Sequence, residues 1–342
     1  MVPISVLAEL LGESRAMRTL RERVGRLLQT LAGGRRLPPV LIQGETGTGK
    51  GVLARAMHRA GPGCQRPFVS VNCAAIPGPL LEAELFGFER GAFTDARRSK
   101  PGLFQMARSG TILLDEIGLL PEELQGKVLH VVEERHVRRL GSTQSEPLDV
   151  WIMSASNEDL ALAARTHRFR EDLYHRLAVL TLWLPPLRER ENDVLELAEY
   201  FLGRSCADYE LPPKRLGPDA RAALLDYPWP GNLRELSNVM ERAVLFSGTE
   251  ILTAEDLGLI TDDWGLTIPS PRSSRLGAEL GEIERARLLE ALRNANGKLS
   301  RAAVLLGMPR NTVRYRMERL GLWSRPRGTG QPRASTTNVL PD

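Results

Sequence analysis

Apolar side chains recur at helical spacing along VLAELLGESRAMRTLRERVGRLLQTL, from Val6 to Leu31, with a break near Gly12 to Ser14. The pattern predicts two helical pieces, with Ser14 as the cap of the second. The period then changes. PPVLIQ, PFVSVN, GTILLDEIG and LDVWIMSASN are short apolar runs of strand length, separated by helical stretches such as GVLARAMHRA and ELQGKVLHVVEER. Such alternation predicts a parallel sheet covered by helices. Beyond LPPLRERENDV the pattern is helical throughout, in VLELAEYFLGRSCADY, PDARAALLDY and NLRELSNVMERAVLF, which predicts a small helical subdomain behind the α/β one.

TDDWGLTIPSPRSSRLG is rich in Pro, Ser and Gly and has no apolar period, so it reads as a linker. After it, ELGEIERARLLEALRNANG is amphipathic, and LSRAAVLLGMPRNTVRYRMERLGLW reads as helix, turn, helix. The last segment, SRPRGTGQPRASTTNVLPD, has the composition of disorder. The expected division is an α/β subdomain over 1–185, a helical one over 186–260, a linker over 261–277, a helix-turn-helix unit over 278–323 and a tail over 324–342. No internal repeat is visible.

Charge sharpens this division. The 342 residues carry a net charge of +4, yet Pro271 to Gly330 holds 13 Lys/Arg against 5 Asp/Glu, which is +8 there and −4 for the rest. A basic end on a mildly acidic body points to a nucleic-acid-binding module; a solvated basic tail is the simpler alternative. No apolar run is long enough to span a bilayer, and the N-terminus lacks a basic opening followed by a long apolar core, so the chain reads as cytoplasmic with no membrane partner. Cys64, Cys73 and Cys206 have no metal-ligand spacing, and the histidines form no HExxH pattern, so a metal site built from protein side chains alone is not expected.

The sharpest chemical signal is GETGTGKG: Gly44, Glu45, Thr46, Gly47, Thr48, Gly49, Lys50 and Gly51. Between an apolar run and a helical one, such a loop lets backbone N–H groups converge on phosphate oxygens while Lys50 adds a point charge. A glycine-rich turn of no function would use the same letters. Gly51 stands where a Ser or Thr usually helps to hold Mg²⁺. A second half of the site is legible at the end of GTILLDEIG, where Asp115 suits a Mg²⁺ shell and Glu116 suits polarising an attacking water. Asn157 ends another strand and could orient that water or touch a γ-phosphate, although a turn or cap role would also explain it. Together these features imply ATP with Mg²⁺ as cofactors.

Between the halves lies ELFGFERGAFTDA. With VNCAA, LLDEIG, FREDLYHRL, LPPLRER and WPGNLREL in order, the chain resembles the bacterial sigma-54-dependent transcriptional activators, or enhancer-binding proteins, of the AAA+ superfamily, over roughly Leu10 to Trp323. The resemblance implies an α/β P-loop NTPase with a helical lid, followed by an all-α Fis-type DNA-binding domain. It implies that Asn72 holds the catalytic Glu116 and links γ-phosphate state to a surface loop. Arg170 and Arg176 would reach a neighbouring subunit's nucleotide, and Arg234 would be the sensor arginine of the lid. The family's position after the loop lysine is commonly glutamate, so Gly51 does not imply a dead site.

By the same resemblance Gly91, Ala92, Phe93, Thr94, Asp95 and Ala96 form the loop that engages sigma-54, where the family's GAFTGA has become GAFTDA. Asp95 restricts left-handed backbone geometry relative to glycine and brings a negative charge toward promoter DNA. Phe93 is an apolar group that must pack or bind a partner, and Thr94 offers a hydroxyl. In the C-terminal unit, Arg310, Asn311, Thr312, Arg314, Tyr315, Arg316 and Arg319 suit phosphates and base edges.

The implied function is an ATP-hydrolysing activator that binds double-stranded enhancer DNA, assembles from dimers into a hexameric ring and remodels sigma-54 RNA polymerase holoenzyme to open promoters. The alternatives are a DNA-binding regulator, or an AAA+ remodeller of another protein, that has lost sigma-54 contact through Asp95. The AAA+ pattern begins almost at Met1, leaving no room for a regulatory domain in front. Control would then come from a separate protein or from abundance, unless the sequence is a truncation.

Overall fold

The computed structural model describes residues 10–33, 37–93, 96–259 and 295. Ser14 ends the incoming strap: its Oγ accepts the Met17 N–H at 3.4 Å and caps helix α1 (Arg15–Leu31). Met17, Leu20, Val24, Leu28 and Leu31 fall at three- and four-residue spacing on the buried face of α1. Strands and helices then alternate as the apolar pattern predicts: β1 (Val40–Gln43), α2 (Lys50–Ala60), β2 (Phe68–Asn72), α3 (Gly78–Phe86), β3 (Thr111–Asp115), α4 (Glu122–Glu134) and β4 (Trp151–Ser156). Helices α5 (Leu160–Arg165) and α6 (Glu171–Leu177) lead into β5 (Leu180–Trp183).

The five strands pair in parallel in the order β2-β3-β4-β1-β5. Alternate side chains supply two cores, as the two-residue period of a strand requires. Leu41, Ile112, Leu114 and Ile152 point to one face, against Leu85, Val128 and Leu173. Val40, Ile42, Leu113, Trp151 and Met153 point to the other, against Val24, Leu28, Leu53 and Met57. Strand β5 is the element that the apolar pattern does not reveal. It is an edge strand in which Thr181 and Trp183 are exposed and Leu182 is buried, so LTLW is too short and too mixed to stand out.

A third core belongs to the helical region, α7 (Asp193–Asp208), α8 (Pro218–Asp226) and α9 (Asn232–Phe246). Leu197, Leu202, Leu224, Leu236, Val239 and Met240 pack around Trp229, whose indole N–H donates to Leu224 O at 2.9 Å. No helix among the described residues is long and apolar enough to cross a membrane.

One buried carboxylate ties the start of the chain to this region. Asp193 accepts the backbone N–H groups of Glu13 and Ser14 at 2.7 Å each, and the Ser14 hydroxyl at 2.6 Å. Gly12 passes so close that a Cβ would lie 2.3 Å from Asp193 Oδ2, and its φ of +112° also demands glycine. Removing the carboxylate leaves those donors buried and unpaired. We expect Asp193→Ala to lower unfolding free energy by about 2–4 kcal/mol in urea titration, and Asp193→Asn by less.

Buried His58 gives a second expectation. Its Nδ1 lies 2.9 Å from Thr111 Oγ1 inside the second core, and burial pushes the imidazole below its ordinary value. The unfolded chain therefore takes up a proton first as pH falls. The contribution of neutral His58 is complete above the unfolded value near 6.5 and is lost as pH drops through the lower folded value. Stability should fall in that window by at most about 1.4 kcal/mol per pH unit, and His58→Gln should flatten the slope in denaturant titrations at a series of pH values.

Candidate active site

The parallel sheet delivers the loop and the acids to one edge. Gly44 to Gly51 leave the C-terminal end of β1 and enter α2, with Gly44, Gly47 and Gly49 at φ +157°, +80° and +101°. A Cβ on Gly44 would fall 2.6 Å from Leu184 O, and one on Gly47 would fall 2.2 Å from Gly231 O, so the loop can lie this close to its surroundings only without side chains. Thr48 Oγ1 donates to Glu45 O at 2.8 Å, closing the loop on itself. Lys50 folds back into it and donates to Gly44 O at 2.9 Å and Glu45 O at 3.2 Å.

Asp115 ends β3 and Glu116 follows it, two strands from the loop in the sheet order. Asp115 lies beside Asn72 in the strand register, and its Oδ1 accepts the Glu116 N–H at 3.1 Å. Glu116 adopts a left-handed backbone, φ +53°, which ends the strand and turns its carboxylate toward the loop lysine, 3.9 Å from Lys50 Nζ. Burial pushes Lys50 below the usual lysine range, while Glu116 and then Asp115 hold it up. Asn157 stands between the two halves: its Nδ2 donates to Thr46 Oγ1 at 3.1 Å, and its backbone N–H reaches Glu116 Oε2 at 3.4 Å. Asn72 sits at the adjacent strand end, where its Oδ1 accepts the Ala74 N–H at 2.9 Å; among the described residues no hydrogen bond joins it to Glu116.

The helical region roofs this loop. Leu233 N–H donates to Gly47 O at 3.0 Å, and exposed Arg234 follows, with its Cβ beside Gly47. Asn232 is fully buried at a φ of +52°, where its side chain bonds Thr46 O and Glu45 Oε2 at 3.1 Å each and accepts the Leu187 N–H at 2.7 Å. Arg188 forms a fork on Glu45, and buried Arg190 donates to Thr48 O at 2.8 Å and Pro185 O at 3.0 Å. Burial brings the Arg190 guanidinium down to about 10, with Asp193 acting against the shift. A cavity of about 380 Å³ opens beside Thr48 and Gly49, walled by Leu11, Val52, Tyr200 and Leu233 among others. Sequence reasoning did not single out Arg188, Arg190 or Asn232; the available signal was their place in LPPLRER and WPGNLREL.

Other expected residues lie apart from this cluster. Exposed Arg170 pairs with Asp172 at 2.7 Å, and exposed Arg176 with Glu133 at 2.6 Å, both at α6. The surface loop is pinched at its base, with Gly91 N–H donating to Ala96 O at 2.8 Å and Ala96 N–H to Phe93 O at 2.9 Å. Phe93 is half-exposed and meets Phe88 with ring centroids 4.9 Å apart, so part of its apolar surface is packed. A second loop that sequence reasoning did not single out supports the first: Leu140 O accepts the Glu89 N–H at 3.0 Å, and a Cβ on Gly141 would meet Ala92 at 3.0 Å. Thr94 and Asp95 lie outside the described residues, as do the linker, the tail and Arg310, Asn311, Thr312, Arg314, Tyr315, Arg316 and Arg319.

The cluster fits a nucleotide with a divalent cation. The glycine loop lies close to its surroundings because it excludes Cβ atoms, the adjoining cavity has apolar walls suited to a planar base, and Asp115 and Glu116 bring hard oxygen donors beside Lys50. Among the described residues no group of three His, Cys, Asp or Glu could hold a metal by itself. Mg²⁺ needs only one or two carboxylates when phosphates supply the other oxygens.

Comparison with known proteins assigns the parts. The sigma-54 interaction domain matches residues 10–183, the AAA+ ATPase lid domain 188–261, and the bacterial regulatory protein, Fis family, 279–320. The response regulator protein PilR of Pseudomonas aeruginosa is 42% identical over 324 residues, 92% of this chain and 70% of PilR. The regulatory protein AtoC of Escherichia coli K12 is 41% identical over 288 residues, 83% of this chain and 62% of AtoC. The crystal structure of NtrX from Brucella abortus in complex with ATP has a TM-score of 0.67 at 32% identity, covering 91% of this chain and 69% of that one. The chain thus spans between 62% and 70% of these relatives. The parallel-sheet fold is that of an AAA+ ATPase domain with its lid, ahead of a Fis-type helix-turn-helix unit.

Glycine is not required at every position of the loop. A Cβ on Gly51 would meet nothing within 4 Å, and the residue lies in the first turn of α2. Gly51→Ala should therefore raise stability by about 0.5–1 kcal/mol, read as a higher Tm. Gly47→Ala should do the opposite, because its methyl group meets Gly231 O and forces the roof away.

Proposed function

Because the chain belongs to the family of bacterial sigma-54-dependent transcriptional activators, we propose that it hydrolyses ATP and uses the energy to remodel sigma-54 RNA polymerase so that promoter DNA opens. The observation that carries the reading is the meeting of Lys50 and Glu116 at 3.9 Å at the mouth of a glycine loop roofed by the lid. Phosphates would take Lys50 from the loop carbonyls it now satisfies. Asp115 would hold Mg²⁺, which supplies charge neutralisation on the phosphates. Glu116 would orient the attacking water and receive its proton, while Asn157, already bonded to Thr46, would fix the position of that water. Asn72 would relay the nucleotide state by donating from Nδ2 to the Glu116 carboxylate, a bond that the Oδ1 contact with Ala74 leaves free to form. Arg234 would neutralise phosphate charge from the lid side.

Arg170, at the cap of α6, and Arg176, within it, are exposed and apart from the loop of their own chain, which supports a role toward a neighbouring copy. We therefore infer a ring, hexameric by family likeness, in which each active site is completed by the next subunit. The loop from Gly91 to Ala96 would contact sigma-54 through Phe93 and Thr94. The basic C-terminal unit would anchor the ring to enhancer DNA through Arg310, Asn311, Thr312, Arg314, Tyr315, Arg316 and Arg319, in the cytoplasm at the nucleoid. The ATP complex of NtrX supports the nucleotide assignment.

The test is promoter melting in vitro with purified sigma-54 polymerase, its promoter DNA and ATP, scored by permanganate reactivity of the opened bases. Opening that needs hydrolysable ATP is the expected result. Glu116→Gln should lower ATP turnover by at least about 100-fold while retaining nucleotide binding, and should abolish opening. Opening that survives this substitution would contradict the motor. ATP hydrolysis without opening would shift the assignment to a remodeller whose Asp95 has ended sigma-54 contact.

A further inference from the structure

The phosphate-holding loop contains a residue of the wrong charge. Glu45 is the single acid in GETGTGKG, the glycine loop that would take a nucleotide's phosphates. An unpaired carboxylate there would repel a polyphosphate and reduce the loop's attraction for it. Its arrangement avoids this conflict. Arg188 Nη1 meets Glu45 Oε2 at 2.9 Å and Nη2 meets Oε1 at 2.5 Å, a two-pronged match of guanidinium to carboxylate. Asn232 Nδ2 adds a third bond to Oε2 at 3.1 Å. Hydrogen bonding to Arg188 keeps the Glu45 carboxyl below its usual range, so protonation is not how the charge is hidden.

We propose that Arg188 is a positioning residue for nucleotide binding, which neutralises Glu45 within the loop and, together with Asn232, fastens that loop to the lid. The inference rests on reading Gly44 to Gly51 as a nucleotide loop. Arg188 lies in the short turn Leu187–Glu189, between β5 and α7, so its grip on Glu45 is also a grip on the passage from sheet to lid. The Leu187 N–H is held by Asn232 Oδ1 at 2.7 Å, and Asn232 Nδ2 reaches Thr46 O at 3.1 Å, so lid, turn and loop share one buried amide. Both partners of the ion pair are partly exposed, at 44% and 37%. Such a pair adds little to global stability. Its effect belongs to the charge that an incoming phosphate encounters.

The experiment measures affinity for a fluorescent ADP analogue in wild-type protein, Arg188→Met, Glu45→Gln and the double variant, each at low and high salt. Arg188→Met should bind about five- to tenfold more weakly, and the double variant should regain most of that loss. The deficit of Arg188→Met should shrink as salt screens the exposed carboxylate. Arg188→Lys, which keeps the charge without the fork, should lie between Arg188→Met and wild type. A double variant as weak as Arg188→Met, or a deficit indifferent to salt, would overturn the proposal, as would wild-type affinity in Arg188→Met. If wild-type protein fails to bind the analogue more tightly than Lys50→Ala, the nucleotide reading itself fails and the inference falls with it.

Discussion

The site depends on one buried amide at an unfavourable backbone conformation. Asn232 occupies left-handed space, in which most residues cost about 1 kcal/mol or more, and asparagine is among the side chains that accept it most readily. In return its side chain satisfies Leu187 N–H, Thr46 O and Glu45 in a place closed to water. Around that contact the other bridges fall into line: Leu233 to Gly47, Arg190 to Thr48, Arg188 to Glu45. The glycine at position 47 is the counterpart of this closeness, because the lid carbonyl occupies the space that a side chain would fill.

The sheet contributes placement more than contact. Parallel pairing puts the C-terminal ends of β1, β2, β3 and β4 on one edge, so the glycine loop, Asn72, Asp115 and Asn157 arrive together although they are far apart in the chain. The left-handed turn at Glu116 completes the arrangement by directing the second acid toward the loop instead of along the strand. Cys73, next to this edge, is held as a thiol: burial, followed by the Asp115 charge, pushes it up to about 12. It is a packing residue in the first core.

Much of this was legible from periodicity and loop chemistry. Four of the five central strands are apolar runs that end in glycine, acid or asparagine, and α1, α4, α7, α8 and α9 carry the expected helical spacing. What remained hidden has physical causes. β5 is short, exposed on alternate residues and confined to an edge, so it lacks a buried run. Arg188, Arg190 and Asn232 act through partners more than 40 residues away, and nothing in local spacing marks Arg190 and Asn232 as buried or pairs Arg188 with Glu45. Asn72 was placed correctly at a strand end, and its Oδ1 accepts the Ala74 amide of the following turn, a local contact that the strand pattern does not announce.

The strap ahead of α1 imposes an order on the birth of the molecule. Ser14, its hydroxyl and the adjoining amides leave the ribosome early, but their carboxylate, Asp193, follows 179 residues later. Until then the cap of α1 has only its own long hydrogen bond to Met17 and no cover over its buried donors. The cavity wall at Leu11 likewise waits for Tyr200 and Leu233. A nascent chain halted before the helical region could assemble the sheet and its glycine loop, yet its first segment would remain unanchored. Vectorial synthesis therefore makes this candidate site a late product of folding, closed only when the strap meets a part translated long after it.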